Sequence, residues 1–242
     1  MFFSKPGTYE AVGLFGWEHL LLFVLTITFV VIAVKKTKIS NKEQITKIIR
    51  ELTVLIWVLE IIKIIFNLLA GNAHNVNTYI PLYYCSLLLY AGLFSGFAKG
   101  KLNKMGDIFL AVGSLVAGIC FLILPTTSLV SYPLWHFISI HSFFYHGVMI
   151  YLGIIVNKYN YVKVEYKDIK YYMCLILIVC FFAYLVNSIC DSNLMFISKD
   201  FAPISFLYNA TGSLFTLVMI IIQATIPFYL GLILRKIIIK IA

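Results

Sequence analysis

The sequence predicts an all-α, polytopic membrane protein with about seven transmembrane helices, its N-terminus outside and its C-terminus in the cytoplasm. Three observations carry that expectation. Its apolar fraction is too large for a soluble fold, it contains a series of apolar stretches each long enough to cross a bilayer, and its basic residues fall on alternate loops.

Of the 242 residues, 62% are hydrophobic and only 12% charged, and the mean hydropathy is +0.96. No linker, low-complexity tract or internal repeat divides the chain, so residues 1–242 read as a single transmembrane domain. A crossing needs about 20 mainly apolar residues to span ~30 Å of hydrocarbon. Stretches of that length, bounded by charge or by Pro, Gly and Asn clusters, fall at 13–34, 51–70, 80–98, 107–124, 134–156, 170–190 and 207–234. The first lacks a basic leader followed by a small-residue cleavage site and is expected to be a retained helix.

Cytoplasmic loops are enriched in Lys and Arg. Between the first and second stretches lie Lys35, Lys36, Lys38, Lys42, Lys47 and Arg50, and between the third and fourth Lys99, Lys101 and Lys104. Lys158, Lys163, Lys167 and Lys170 separate the fifth and sixth, and Arg235, Lys236 and Lys240 end the chain. Of the 19 basic residues only Lys5, Lys63 and Lys199 stand elsewhere. An odd number of crossings gives this alternation. The formal charge of +9 is therefore assigned to the inner leaflet, where anionic lipid attracts it, and a nucleic-acid partner is not needed to explain it.

Charged and polar side chains inside a membrane cost about 2.5–3.5 kcal/mol at a helix centre and usually face the bundle interior or an aqueous cavity. The first helix carries His19. The second carries Glu60, Lys63 and Asn67 on one face, and Glu60 and Lys63, one turn apart, read as an intrahelical ion pair. The third begins with Pro81, Leu82, Tyr83, Tyr84 and Cys85. The fifth carries His136, His141 and His146, the sixth ends at Asn187, Cys190, Asp191 and Asn193, and the seventh begins near Asn209. At 1.5 Å per residue, Cys85 and His19 lie on the order of 8–10 Å below the outer surface, with His146 deeper. These groups converge on the outer half of the bundle. The inner halves are nearly all Ile, Leu, Val and Phe, so one outward-facing, partly polar cavity is expected.

Helical phase sorts the candidates further. Cys85, Leu89, Gly92 and Gly96 share one stripe, and Gly92 to Gly96 forms a small-xxx-small contact motif, so Cys85 is expected to face other helices. Ser139, Ser142, His146 and Gly153 share another stripe. His141 lies about 140° from His146 at 3.6 residues per turn and is the weaker interior candidate.

Cysteine is usually a small, soft packing residue, and Cys120, Cys174 and Cys180 are read that way. A Cys85–Cys190 disulfide is conceivable, but no spacing recommends it. Cys85 lies on the packed stripe, beside a proline and at the depth of the polar cluster, which makes it the best candidate nucleophile. A buried thiol is inert without a base. His146 or His19 is the candidate base, with Asn187, Asp191 or Glu60 orienting the imidazole in the manner of acyl-transfer enzymes. The plainer alternative for each histidine is an interhelical hydrogen bond. No HxxxH or HxxE spacing supports a metal site. The last helix has Gln223 and Pro227 but no lysine at its centre, which sets aside a retinal Schiff base.

Four motifs carry a family resemblance. Trp17-Glu18-His19-Leu20, Ile80-Pro81-Leu82-Tyr83-Tyr84-Cys85, Phe144-Tyr145-His146-Gly147 and Asn193-Leu194-Met195-Phe196, the last within Asn187 to Pro203, occur in this order over nearly the whole chain. In these segments the sequence resembles the bacterial YwaF-type integral membrane proteins, which are similar to the transmembrane protein 164 family of cysteine- and histidine-dependent phospholipid acyltransferases. The resemblance implies Cys85 as the acyl-accepting nucleophile and His146 as its base, with His19 and Asn193 as matched positions of unassigned role. Tyr83 departs from the pattern, standing where a Pro-Leu-His-x-Cys motif has histidine.

The expectation is a lipid acyltransferase or acyl hydrolase of the bacterial plasma membrane. It acts through an acyl-Cys85 intermediate, takes phospholipid as its substrate, and needs no cofactor and no metal. The alternative is a transporter or small-solute binding protein whose Glu60, Lys63, His146 and Asp191 line the cavity without covalent chemistry. A third reading, a receptor or scaffold, makes the polar cluster interhelical glue. Oligomeric state is not legible.

Overall fold

A computed structural model describes residues 1–241 and is all-helical throughout its membrane-length elements. In chain order these are α1 (Trp17–Lys36), α2 (Lys42–Leu69), α3 (Leu87–Phe97), α4 (Gly100–Ile123), α5 (Phe137–Lys158), α6 (Ile169–Cys190) and α7 (Phe215–Ile241). Among the described residues, six helices are long and apolar enough to cross a membrane, and α3 is the short apolar exception. Large apolar side chains such as Trp17, Phe29, Phe181, Leu217 and Ile233 stand exposed on the outside of the bundle, a surface that suits lipid and not water. The chain is a multi-pass membrane protein.

Several helix boundaries differ from those expected. α2 begins at Lys42 and not at 51 because the Asn41 side chain accepts from the Gln44 N–H and caps a polar first turn. α4 begins at Gly100 and not at 107, and α7 at Phe215 and not at 207. A short helix, Ser205–Thr211, precedes α7 and breaks at Gly212, whose φ of 53° is a left-handed conformation that favours glycine. The largest departure is α3, expected over 80–98, which is helical only from Leu87 to Phe97. Pro81 offers no N–H to a helix and disfavours helical geometry in Ile80, so Ile80 to Ser86 lead in as irregular backbone. Such backbone survives at membrane depth only when buried in protein or lining a cavity.

α4 and α5 form the centre of the bundle: 78% of the apolar window of each is buried, against 22% for α1 and α2. α5 packs on α1, α2, α4 and α7. α3 nests between α2 and α4 through its glycines. A Cβ on Gly92 would meet the Thr53 side chain of α2, and one on Gly96 would meet Arg50. The small-residue stripe thus packs against α2 as its spacing predicts. α4 contains a π-helical turn at Phe109–Gly113, which packs against α7.

The inner halves of the helices are less uniformly apolar than expected. Asn157 on α5 and Arg235 on α7 are both buried and hydrogen-bonded to each other, and Ser95 donates to Asp107. Arg235 is buried because α7 runs on to Ile241, past the predicted end at 234.

Candidate functional site

At the end of the bundle opposite the basic loops lies a cavity of about 450 Å³. Its walls come from the second half of α2 (Glu60, Lys63, Asn67), the irregular lead-in to α3 (Ile80, Tyr83, Tyr84, Cys85, Ser86), the end of α4 (Cys120, Phe121, Leu124), the start of α5 (His141, Ser142, Tyr145, His146) and a loop carrying Phe196, Phe201 and Pro203. Cys120, Leu124, Thr127 and Pro203 are also exposed, so the cavity opens to the surface between the end of α4 and that loop.

The lead-in and the turn before it are tied down by side chains that donate to their backbone carbonyls. Tyr145 on α5 donates to the Cys85 carbonyl at 3.0 Å, Tyr90 on α3 to the Pro81 carbonyl at 3.0 Å, and Asn67 on α2 to the Thr78 carbonyl at 3.1 Å. Cys85 therefore occupies a fixed, half-buried position directly before Ser86, the N-cap of α3. Backbone N–H groups point outward at a helix start, and a developing negative charge is stabilised there. All five cysteines, Cys85 and Cys190 included, are free thiols.

Five histidines divide sharply by the state of their ring nitrogens. His19 accepts from the Phe15 N–H at 3.2 Å and donates to the Leu122 carbonyl at 2.8 Å. His136 accepts from the Ile138 N–H and donates to the Ser4 carbonyl, each at 3.1 Å. Both are structural ties, and neither lines the cavity. His74 is exposed. His146 instead donates from Nδ1 to the Ser142 carbonyl at 2.6 Å. A carbonyl can only accept, so that proton sits on Nδ1 and Nε2 carries a lone pair. His146 Nε2 is buried and has no partner among the described residues. The ring is stacked on Phe121, with centroids 3.6 Å apart.

His141, read from helical phase as the weaker interior candidate, also lines the cavity. It is 6% exposed, and neither of its ring nitrogens has a hydrogen bond. The phase difference from His146 is real, but the cavity wraps around α5 toward α2. Glu60 sits there, paired with Lys63 at 2.6 Å as its spacing predicts, its other oxygen 3.8 Å from His141 Nε2.

The structure places the remaining candidates outside the cavity. Asn187 accepts from Ser192 Oγ and the Leu194 N–H, both at 2.7 Å, and donates to the Leu194 carbonyl. Asn193 accepts from the Ser198 and Lys199 N–H groups at 3.0 Å. Asp191 is exposed and paired with Lys199 at 2.6 Å. None of the three can orient a cavity histidine. Together they fold the loop that carries Phe196 to the cavity, where its ring packs 5.1 Å from that of Tyr83. Tyr83 donates to Asn77 Oδ1 at 3.2 Å, and the same oxygen accepts from the Asn193 N–H at 2.9 Å. Tyr83 thus forms wall and roof of the cavity.

Sequence reasoning missed Tyr145 as the residue that fixes Cys85. Its position beside His146 on α5 was the only available signal. Among the described residues no group of three His, Cys, Asp or Glu side chains is arranged to hold a metal ion.

Fold and cavity together define a helical multi-pass membrane protein with a thiol and two open imidazoles on one intramembrane cavity wall. The chain belongs to the TMEM164 family, whose family model matches residues 14–232. No curated protein and no solved structure matches it.

Proposed function

We propose that the protein is a lipid acyltransferase or acyl hydrolase working through an acyl-Cys85 intermediate, with His146 as the base. The single observation that supports this most is the Nε2 lone pair of His146, unpartnered and buried on the wall of the cavity that also holds Cys85. A buried nitrogen left without a partner is costly and calls for an explanation, and proton acceptance from a thiol is one. The proton moves from Cys85 Sγ to His146 Nε2, the thiolate attacks the ester carbonyl of a phospholipid, and the imidazolium protonates the leaving alcohol. In this scheme the opening beside Cys120 and Leu124 is the lipid entrance, through which the ester reaches the sulfur while the acyl chains remain in the bilayer. The loop charges favour an outward-facing cavity, and in a bacterial plasma membrane this reading draws the ester from the outer leaflet.

The test is turnover of phospholipid by purified protein in detergent and in vesicles. Cys85→Ala is expected to abolish acyl release and transfer. Unchanged turnover in that variant contradicts the proposal.

A second reading, solute binding without covalent chemistry, draws on the charged wall formed by Glu60, Lys63 and His141. It predicts thermal stabilisation by a solute that survives Cys85→Ala and is lost in Glu60→Gln.

A further inference from the structure

The acyl-cysteine scheme uses Cys85 and His146 and leaves the part of the cavity wall formed by Glu60, Lys63 and His141 idle. That wall is the least satisfied polar cluster in the membrane interior. Glu60 is 2% and His141 6% exposed, and His141 has no hydrogen bond at either nitrogen. His141 Nε2 stands 3.8 Å from Glu60 Oε2, too far for a hydrogen bond. That separation is short enough for one hydroxyl to bridge both atoms once the side chains part to admit it. Lys63 holds the other oxygen of Glu60 at 2.6 Å, so the carboxylate is charge-compensated and positioned. If its only task were to cancel Lys63, no imidazole would need to stand unbonded beside it.

We propose that His141 and Glu60 form an acceptor-activating pair. They seat the hydroxyl, from water or from a lipid alcohol, that takes the acyl group from Cys85. The inference rests on the acyl-cysteine reading and assigns its second half-reaction. The acceptor O–H proton passes to His141 Nε2, and the oxygen attacks the thioester carbonyl, forming the new C–O bond. The C–S bond then breaks, and the departing sulfur recovers that proton from the imidazolium. Glu60 stabilises the imidazolium while it exists, and Lys63 is a positioning residue that acts through Glu60. Cys85 and His146 load the acyl group, while His141 and Glu60 unload it.

The two half-reactions are separable by experiment. Wild type, His141→Asn and Glu60→Gln are incubated with phospholipid, and the acylated fraction of Cys85 is read by mass spectrometry together with product release. The expected result is thioester that accumulates in both variants, with release slowed about 100-fold, the scale of a lost general base. Hydroxylamine cleaves thioesters without a base. It is expected to remove the acyl group from wild type and variants at equal rates, and the variants' own acylation of Cys85 shows that they are folded. Isotopically labelled water in one arm and added lysophospholipid in the other tell hydrolysis from transfer. Variants that release product at the wild-type rate overturn the inference, and so do variants that never acylate while wild type does. Absence of thioester in every protein, wild type included, overturns the acyl-cysteine reading itself and this inference with it.

Discussion

At the basic end of the bundle the buried Arg235 guanidinium donates to Asn157, whose own amide donates to the carbonyls of Ala111 at 2.6 Å and Gly153 at 2.8 Å. At the opposite end, two buried imidazoles and a thiol face a cavity with three ring nitrogens unbonded. Both regions place polar side chains in the membrane, and the difference lies in satisfaction. The Ala111 carbonyl belongs to the π-helical turn of α4, where a backbone group is freed from the regular ladder, and Asn157 supplies its partner. A closed network rigidifies, and an open one holds bonding capacity in reserve for a ligand.

If this contrast is right, the two ends respond oppositely to substitution. The largest effect is expected for His146→Gln, which removes the proposed base. Acyl transfer falls about 100- to 10,000-fold while the thermal midpoint in detergent falls only slightly, because Nε2 has no partner to lose and the Nδ1 bond to the Ser142 carbonyl within the same helix is worth about 1 kcal/mol. A midpoint drop comparable to the loss of activity would make His146 a structural tie like His19.

Asn157→Ala is expected to behave the other way. It strands a buried arginine and a helix carbonyl, a cost of about 2–4 kcal/mol, read as a lowered unfolding midpoint, while folded protein still forms thioester. Full stability in this variant would remove the distinction between the two ends.

The smallest effect belongs to the basic loop between α5 and α6. There Lys167, at 2.7 Å, and Lys163, at 2.9 Å, hold the Glu165 carboxyl down at about 2, below its ordinary 4.5. A lowered value adds stability that is present above the unfolded value and lost as acid protonates the folded form. Glu165 therefore contributes a constant increment above about pH 4.5 that disappears toward pH 2. It is partly exposed and screened by salt. Comparing acid unfolding of wild type and Glu165→Gln checks this. A difference confined to neutral pH contradicts the assignment.

Much of this architecture is written in local pattern. Hydropathy finds each membrane-length helix, Gly92 and Gly96 announce the packing of α3 on α2, and Glu60 and Lys63 pair because they are one turn apart on one helix. What the sequence hides is long-range. Ile80 to Ser86 are as apolar as a helix, and that irregular backbone is tied down by Tyr90 and Tyr145 on two different helices, with Asn67 of a third holding Thr78 just before it. Asn157 and Arg235 meet across 78 residues of chain, a separation at which no periodicity operates. His141 points away from His146 by helical phase, and the cavity still reaches both because α2 packs on one side of α5 and α4 on another. Asn187 and Asn193 stand out in the sequence, and their work proves to be shaping a loop whose Phe196 forms the wall.

The most direct test of an acyl-cysteine mechanism is the mass of the Cys85 peptide after brief exposure of the purified protein to phospholipid. The account predicts an added fatty-acyl mass that hydroxylamine removes and that Cys85→Ala lacks. An unmodified Cys85 in protein that is turning over phospholipid would contradict it.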